Sequence, residues 1–133
     1  MNSKAFHFDV EYLPAEQVVR ITTAGRFDFA ANQKVVNAGL EAWKRHGTTL
    51  FLIDHRQAEI AMRTGDIPVA SKVNFMLGLR SLFRRAFLYD PACPDHALIL
   101  QYVELNNSLG LTSKAFADEV EAMAWLVAEN PGA

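Results

Sequence analysis

The chain has a single cysteine, Cys93, in 133 residues, so no disulfide can close within it and a disulfide-stapled miniprotein is excluded. It also lacks an excess of charge of one sign. Thirteen Lys plus Arg face fifteen Asp plus Glu, a formal net charge of −2, whereas a dedicated nucleic-acid binder carries a basic surplus. No apolar run approaches the ~20 residues that a helix needs to cross a bilayer, and residues 1–9 lack the apolar core of a secretory signal. Seven glycines and five prolines exclude a collagenous repeat. These absences predict a cytoplasmic, reducing setting, with neither a membrane span nor a nucleic-acid partner. What is present is 50% hydrophobic residues over the length of one ordinary domain, 1–133. A chain of this size buries roughly two-thirds of its unfolded surface.

Residues 6–12 alternate, with Phe6, Phe8, Val10 and Tyr12 on one side and His7, Asp9 and Glu11 on the other, the period of a half-exposed strand. A turn at 13–17 leads to a β-branched stretch, 18–23, which reads as a hairpin partner ended by Gly25. A helix is expected over 29–46, capped by Asp28, stopped by Gly47, and with Lys44, Arg45 and His46 at the negative end of its dipole. The apolar run 48–54 reads as a strand buried on both faces, followed by a polar connection, 55–65. Asp66 is placed to cap a second helix reaching about Leu82, and residues 84–89 make a fourth strand. After an irregular loop, Asp95 is placed to cap a third helix in which Leu98, Tyr102, Leu105 and Leu109 share a face. Residues 111–116 form a fifth strand, and Asp118 with Glu121 makes a capping box for a last helix to about Glu129. Trp43 and the Trp125-Leu126 pair read as core. Strands alternating with helices require crossovers, so the expectation is an α/β fold. Its sheet should be mixed, five-stranded and largely parallel, with an N-terminal hairpin and about four flanking helices.

Three segments resemble a known group: the opening Phe8-Asp-Val-Glu-Tyr with Val18-Val-Arg-Ile-Thr-Thr-Ala-Gly, the strand Leu52-Ile-Asp-His-Arg, and the ending Lys114-Ala-Phe-Ala-Asp-Glu-Val-Glu-Ala-Met-Ala-Trp-Leu. Together they are similar to the SpoIIAA-like proteins of the STAS/Sec14-related group, over about residues 6–126. The resemblance implies a small module that binds other proteins. In the anti-sigma-factor antagonists of that group, a Ser in an Asp-Ser-Ser-Gly motif is phosphorylated. Counting from Asp54 aligns that motif with Met62-Arg63-Thr64-Gly65, in which only Thr64 and Gly65 match. Thr64 is therefore the candidate phosphorylation position.

Two segments lie where the carboxyl ends of parallel strands gather ligands, namely Asp54, His55 and Arg56, and the loop holding Asp90 and Cys93. A thiol-dependent enzyme would use Cys93 as nucleophile, His55 as base and Asp54 to orient it. Against this, Asp54 and His55 are adjacent and point to opposite sides, and Cys93 lies in a proline-flanked loop. Cys93 and His96 supply only two metal ligands, too few for a closed zinc site. No metal and no cofactor are expected. Arg80, Arg84 and Arg85, with Lys72, read as a solvated basic edge. The second helix carries apolar residues around most of its circumference, more than a surface helix hides. Val69, Val73, Phe75, Met76, Leu79, Leu82 and Phe83 are thus the candidate interface of a homodimer or of a protein partner. The alternative, which the Sec14 relationship implies, is a pocket wall in a carrier of a small apolar or lipid-like ligand.

Overall fold

The computed structural model describes residues 4–76 and 83–128, with the backbone alone at 71 and 73–76. The elements run β1 (His7–Leu13), β2 (Val18–Phe27), α1 (Phe29–His46), β3 (Leu50–Ile60), α2 (Asp66–Met76), β4 (Arg84–Leu88), a 3-10 turn (Pro94–His96), α3 (Ala97–Ser108), β5 (Ser113–Phe116) and α4 (Glu119–Val127). The strands lie in the order β1-β2-β3-β4-β5. The first pair is antiparallel and the other three are parallel. This is the mixed sheet with an N-terminal hairpin that the alternation of elements predicts.

Each parallel step moves one strand further in the same direction, and right-handed crossovers then place α1, α2 and α3 on one face. The larger core lies there, with Ile21, Phe51, Ile53, Phe87, Tyr102 and Leu111 among its members. α4 lies against β4 and β3. It closes a smaller core of Val18, Leu52, Ala86, Leu88, Phe116, Ala122 and Leu126. Helix α1 has the expected bounds, with the Asp28 carboxylate accepting the Ala31 N–H at 2.9 Å and Gly47 in the left-handed conformation at φ 74°. At the other end of the chain, the Asp118 carboxylate accepts the Val120 N–H at 3.3 Å.

Four expectations are corrected. Strand β2 does not end at Gly25 but runs through it to Phe27. Gly25 has φ +80°, and a Cβ there would stand 2.3 Å from the Ala5 carbonyl oxygen, so only glycine admits the N-terminal segment that crosses it. Strand β3 does not end at Asp54, because the polar residues after it keep a strand's alternation, with Gln57 and Glu59 exposed and Ala58 and Ile60 buried. Asp95 does not cap α3: a 3-10 turn intervenes, and its carboxylate instead accepts the Ile60 N–H at 2.8 Å. The buried stripe of α3 is Ile99, Tyr102, Val103 and Asn106, with Leu98 and Leu105 half-buried against the same core and Leu109 exposed. Finally, Trp43 is not core. It is 39% exposed and meets the edge of Phe83, with ring centroids 5.5 Å apart.

Candidate functional site

Alternation along β3 divides the candidate residues between the two faces of the sheet. Asp54 and Arg56 point toward α4, His55 toward α1–α3. A register shift between Thr22/Ala24 of β2 and Asp54/Gln57 of β3 leaves one extra residue in β3 beside these side chains.

On the α4 face, four charges close into a ring. Arg20 donates from Nη2 to Asp54 Oδ2 at 2.9 Å and from Nη1 to Glu119 Oε2 at 2.6 Å. Arg56 donates from Nε to Asp54 Oδ1 at 2.9 Å, from Nη2 to Asp54 Oδ2 at 2.8 Å, and from Nη2 to Glu119 Oε1 at 3.0 Å. The Arg56 backbone N–H adds a bond to Asp54 Oδ1 at 3.0 Å. Burial raises the Asp54 carboxyl, but the bonds from Arg56 and the charges of Arg56 and Arg20 outweigh it, and the group lies below its ordinary value. The same bonds raise Arg56. Two cations alternate with two carboxylates and cancel, so the ring ties the first turn of α4 to the middle of β2 and β3. Arg20 and Glu119 carry no motif; the one readable signal is a lone arginine inside the β-branched run 18–23.

On the opposite face, His55 is buried, with Nδ1 2.7 Å from the Thr23 hydroxyl, which donates to the Asp54 carbonyl at 3.2 Å. Its ring packs edge-on to Phe27, with centroids 4.6 Å apart, and stacks over Phe87 at 6.0 Å. Burial, with the neighbouring His96, pushes the imidazole down to about 3, against a small opposing effect of Asp54. His55 therefore stays neutral at neutral pH.

The proposed dyad is not assembled. His55 faces the larger core, while Cys93 lies in the β4–α3 loop, where its N–H donates to the Asp90 carbonyl at 3.0 Å. Partial burial, a hydrogen bond with Asp95, and the charges of Asp95 and Asp90 push the Cys93 thiol up, the reverse of what a thiolate nucleophile needs. Cys93, Asp95 and His96 bring ligand atoms within 4.8 Å of one another. His96 is nevertheless fully committed to backbone: Nδ1 accepts the Asp90 N–H at 2.9 Å, so Nε2 carries the proton and donates to the Ala58 carbonyl at 2.9 Å. The structure does bring Asp54, Arg56 and Asp90 to one open depression, with Gln57 and Tyr89.

Thr64 is exposed and sits two residues before α2, its carbonyl accepting the Ile67 N–H at 3.3 Å. A shallow groove runs from it between α2 and α3, lined by Ile67, Pro68, Gln101, Glu104, Leu105 and Ser108. Of the candidate interface, Val69 is 52% exposed. Val73, Phe75 and Met76 have their backbone in α2, and Leu79 and Leu82, like Arg80, lie outside the described residues. Phe83 is corrected: at 2% exposed, it packs edge-on to Phe51, with centroids 5.8 Å apart, and belongs to the monomer's own core. The basic edge is corrected too. Arg84 donates to the Trp125 carbonyl at 2.5 Å and lies over the Trp125 ring, 4.4 Å from its centroid. Arg85 turns inward and is only 6% exposed.

Arg85 lines a cavity between the sheet and the helices of the larger core, together with Ile21, Val36, Phe51, Phe83, His55, Asn32 and Tyr102. The cavity holds about 40 Å³, and a smaller one of about 20 Å³ shares His55, Phe87, Asn32 and Tyr102 with it. Among the described residues, no helix is long and apolar enough to cross a membrane.

No protein-family model matches the chain, and no curated protein matches it. Solved structures do. An anti-sigma factor antagonist from Mycobacterium paratuberculosis superposes with a TM-score of 0.63 at 11% identity, over 92% of this chain and 94% of that one. An uncharacterized protein of the DUF3478 family from Shewanella loihica PV-4, with a SpoIIAA-like fold, superposes with a TM-score of 0.59 at 19% identity, over 95% and 98%. At these identities the likeness concerns architecture. Strand order, helix placement and near-complete coverage of both chains agree that this protein has the SpoIIAA-like, STAS-type α/β fold.

Proposed function

We propose that the chain acts by binding, as a protein-interaction or signalling module that works as a homodimer in the cytoplasm. The observation that carries this reading is the open groove between α2 and α3, with exposed Thr64 at its head and Val69, 52% exposed, beside it. Apolar surface left open next to a groove is where partners dock. The fold is shared with an anti-sigma factor antagonist, and a protein partner of that kind is carried over here as part of the proposal. The self-association surface is assigned to Val69, Val73, Phe75, Met76, Leu79 and Leu82. Thr64 is the position for regulation: it is exposed at the head of the groove, where a phosphate would add negative charge beside the exposed Arg63.

Sedimentation equilibrium tests the dimer. Wild type should show twice 14.8 kDa, and the double variant Phe75→Asp/Leu79→Glu should be a folded monomer. A wild type that stays monomeric, or a double variant that stays dimeric, refutes the assigned surface.

A second reading, a carrier of a small apolar ligand, is favoured by the cavity between the sheet and α1–α3. Native mass spectrometry tests it through an adduct that is lost on denaturation.

A further inference from the structure

The cavity has one feature that an apolar carrier does not need. Arg85 is 94% buried by its 6% exposure. Its Nη2 has no hydrogen-bond partner, and it takes part in none of the ion pairs among the described residues. Its guanidinium carbon stands 5.3 Å from the centroid of Phe87 and 6.0 Å from that of Tyr102. Those ring faces attract the cation but accept none of its in-plane N–H groups. An arginine does not shed its charge on burial, and a buried charge without a partner is costly. Among the described residues none supplies the anion that would balance it, which leaves that place to a ligand. Among the groups beside it, His55 is held neutral by burial. The site thus has one positive charge to offer, and a dianion would leave one negative charge buried and unmatched. The volume of about 40 Å³ exceeds what a single water needs but admits only a small ligand. A long acyl chain does not fit. A short one does, against Ile21, Val36, Phe51 and Phe83.

We propose that the cavity takes a small organic monocarboxylate, its head on the Arg85 guanidinium and its short hydrocarbon part against the apolar wall. This inference rests on the carrier reading and narrows it from an apolar ligand to an amphiphilic acid.

The experiment compares propionate with propan-1-ol on the full chain, following amide and arginine side-chain 1H–15N resonances by NMR. Propionate should saturate shifts at Arg85 Nε–H and at the Phe51 and Phe87 amides, and propan-1-ol should bind at least about tenfold more weakly, the weight of a charge-assisted hydrogen bond. In Arg85→Met the preference for the acid should vanish. Equal binding of acid and alcohol to wild type overturns the inference and leaves the carrier reading standing. So does a native adduct in a protein that ignores propionate. No response to either ligand, and no adduct, overturns both. The wild-type comparison stands without the variant, so a poorly folded Arg85→Met does not decide the matter.

Discussion

Arginines on neighbouring strands meet opposite fates on the two faces of this sheet. Toward α4, Arg20 of β2 and Arg56 of β3 share Asp54 and Glu119, and every charge in the ring has a partner of the other sign. Toward α1–α3, Arg85 of β4 is more deeply buried than either, with a free donor and aromatic rings for company. The first arrangement is a fastening, because its geometry leaves nothing for a ligand to complete. The second is an unfinished pair. Burial alone does not separate a structural charge from a functional one; the difference is whether the fold itself supplies the counter-charge.

The contrast can be broken most forcefully at Asp54. Asp54→Ala removes the acceptor shared by Arg20 and Arg56 and is expected to cost about 2–3 kcal/mol, because both cations keep only Glu119. Urea unfolding measures it, and a loss under 0.5 kcal/mol (on the order of an exposed pair) would mean the ring is dispensable.

Acidity separates the faces next. The folded-state value of His55 lies near 3 against an ordinary 6.5, so the unfolded chain binds the extra proton in between. The stability from neutral His55 is full above the unfolded value and drains as the pH falls through that window. By linkage, wild type should be about 2 kcal/mol less stable at pH 5 than at pH 7, and His55→Gln should flatten that slope. Asp54 works in another window. Its lowered value means stability that is present above its unfolded value and lost as the pH falls through the folded one, under more acidic conditions. A wild-type curve flat between pH 7 and 5 would place His55 in contact with water.

The smallest effect has the opposite sign. Arg85→Met should stabilise the protein by about 1 kcal/mol, since an apolar side chain replaces an unmatched buried charge. Destabilisation of similar size would mean that Arg85 has a partner within the chain.

How far these features can be read from the sequence depends on the range of the interactions behind them. Helix α1 is legible to its last residue because Asp28 and Gly47 act locally. The hairpin is legible because Phe8 and Val19 sit in period-two or β-branched runs. The extension of β3 is hidden because Asp54-His55-Arg56 looks polar and loop-like, while the structure sends Asp54 and Arg56 to one side and His55 to the other. The ring needs Arg20 and Glu119, which are 99 residues apart. Asp95 reads as a helix cap because its spacing is right, but its partner is a backbone amide at Ile60, invisible until the tertiary fold exists. Arg84 and Arg85 are indistinguishable by type; only the pleat decides which one enters the core.

The bond from the Ile60 N–H to Asp95 has a consequence for motion. With His96 joining Asp90 to Ala58, the end of β3 and the β4–α3 loop are laced together by side chains rather than by sheet ladder alone. Amide exchange at Ile60 then requires two segments, distant in the chain, to part in a single event, so both should share one opening free energy. The chain leaves that laced unit only four residues before Thr64, so the position assigned to regulation stands next to a fixed anchor while its own side chain faces solvent.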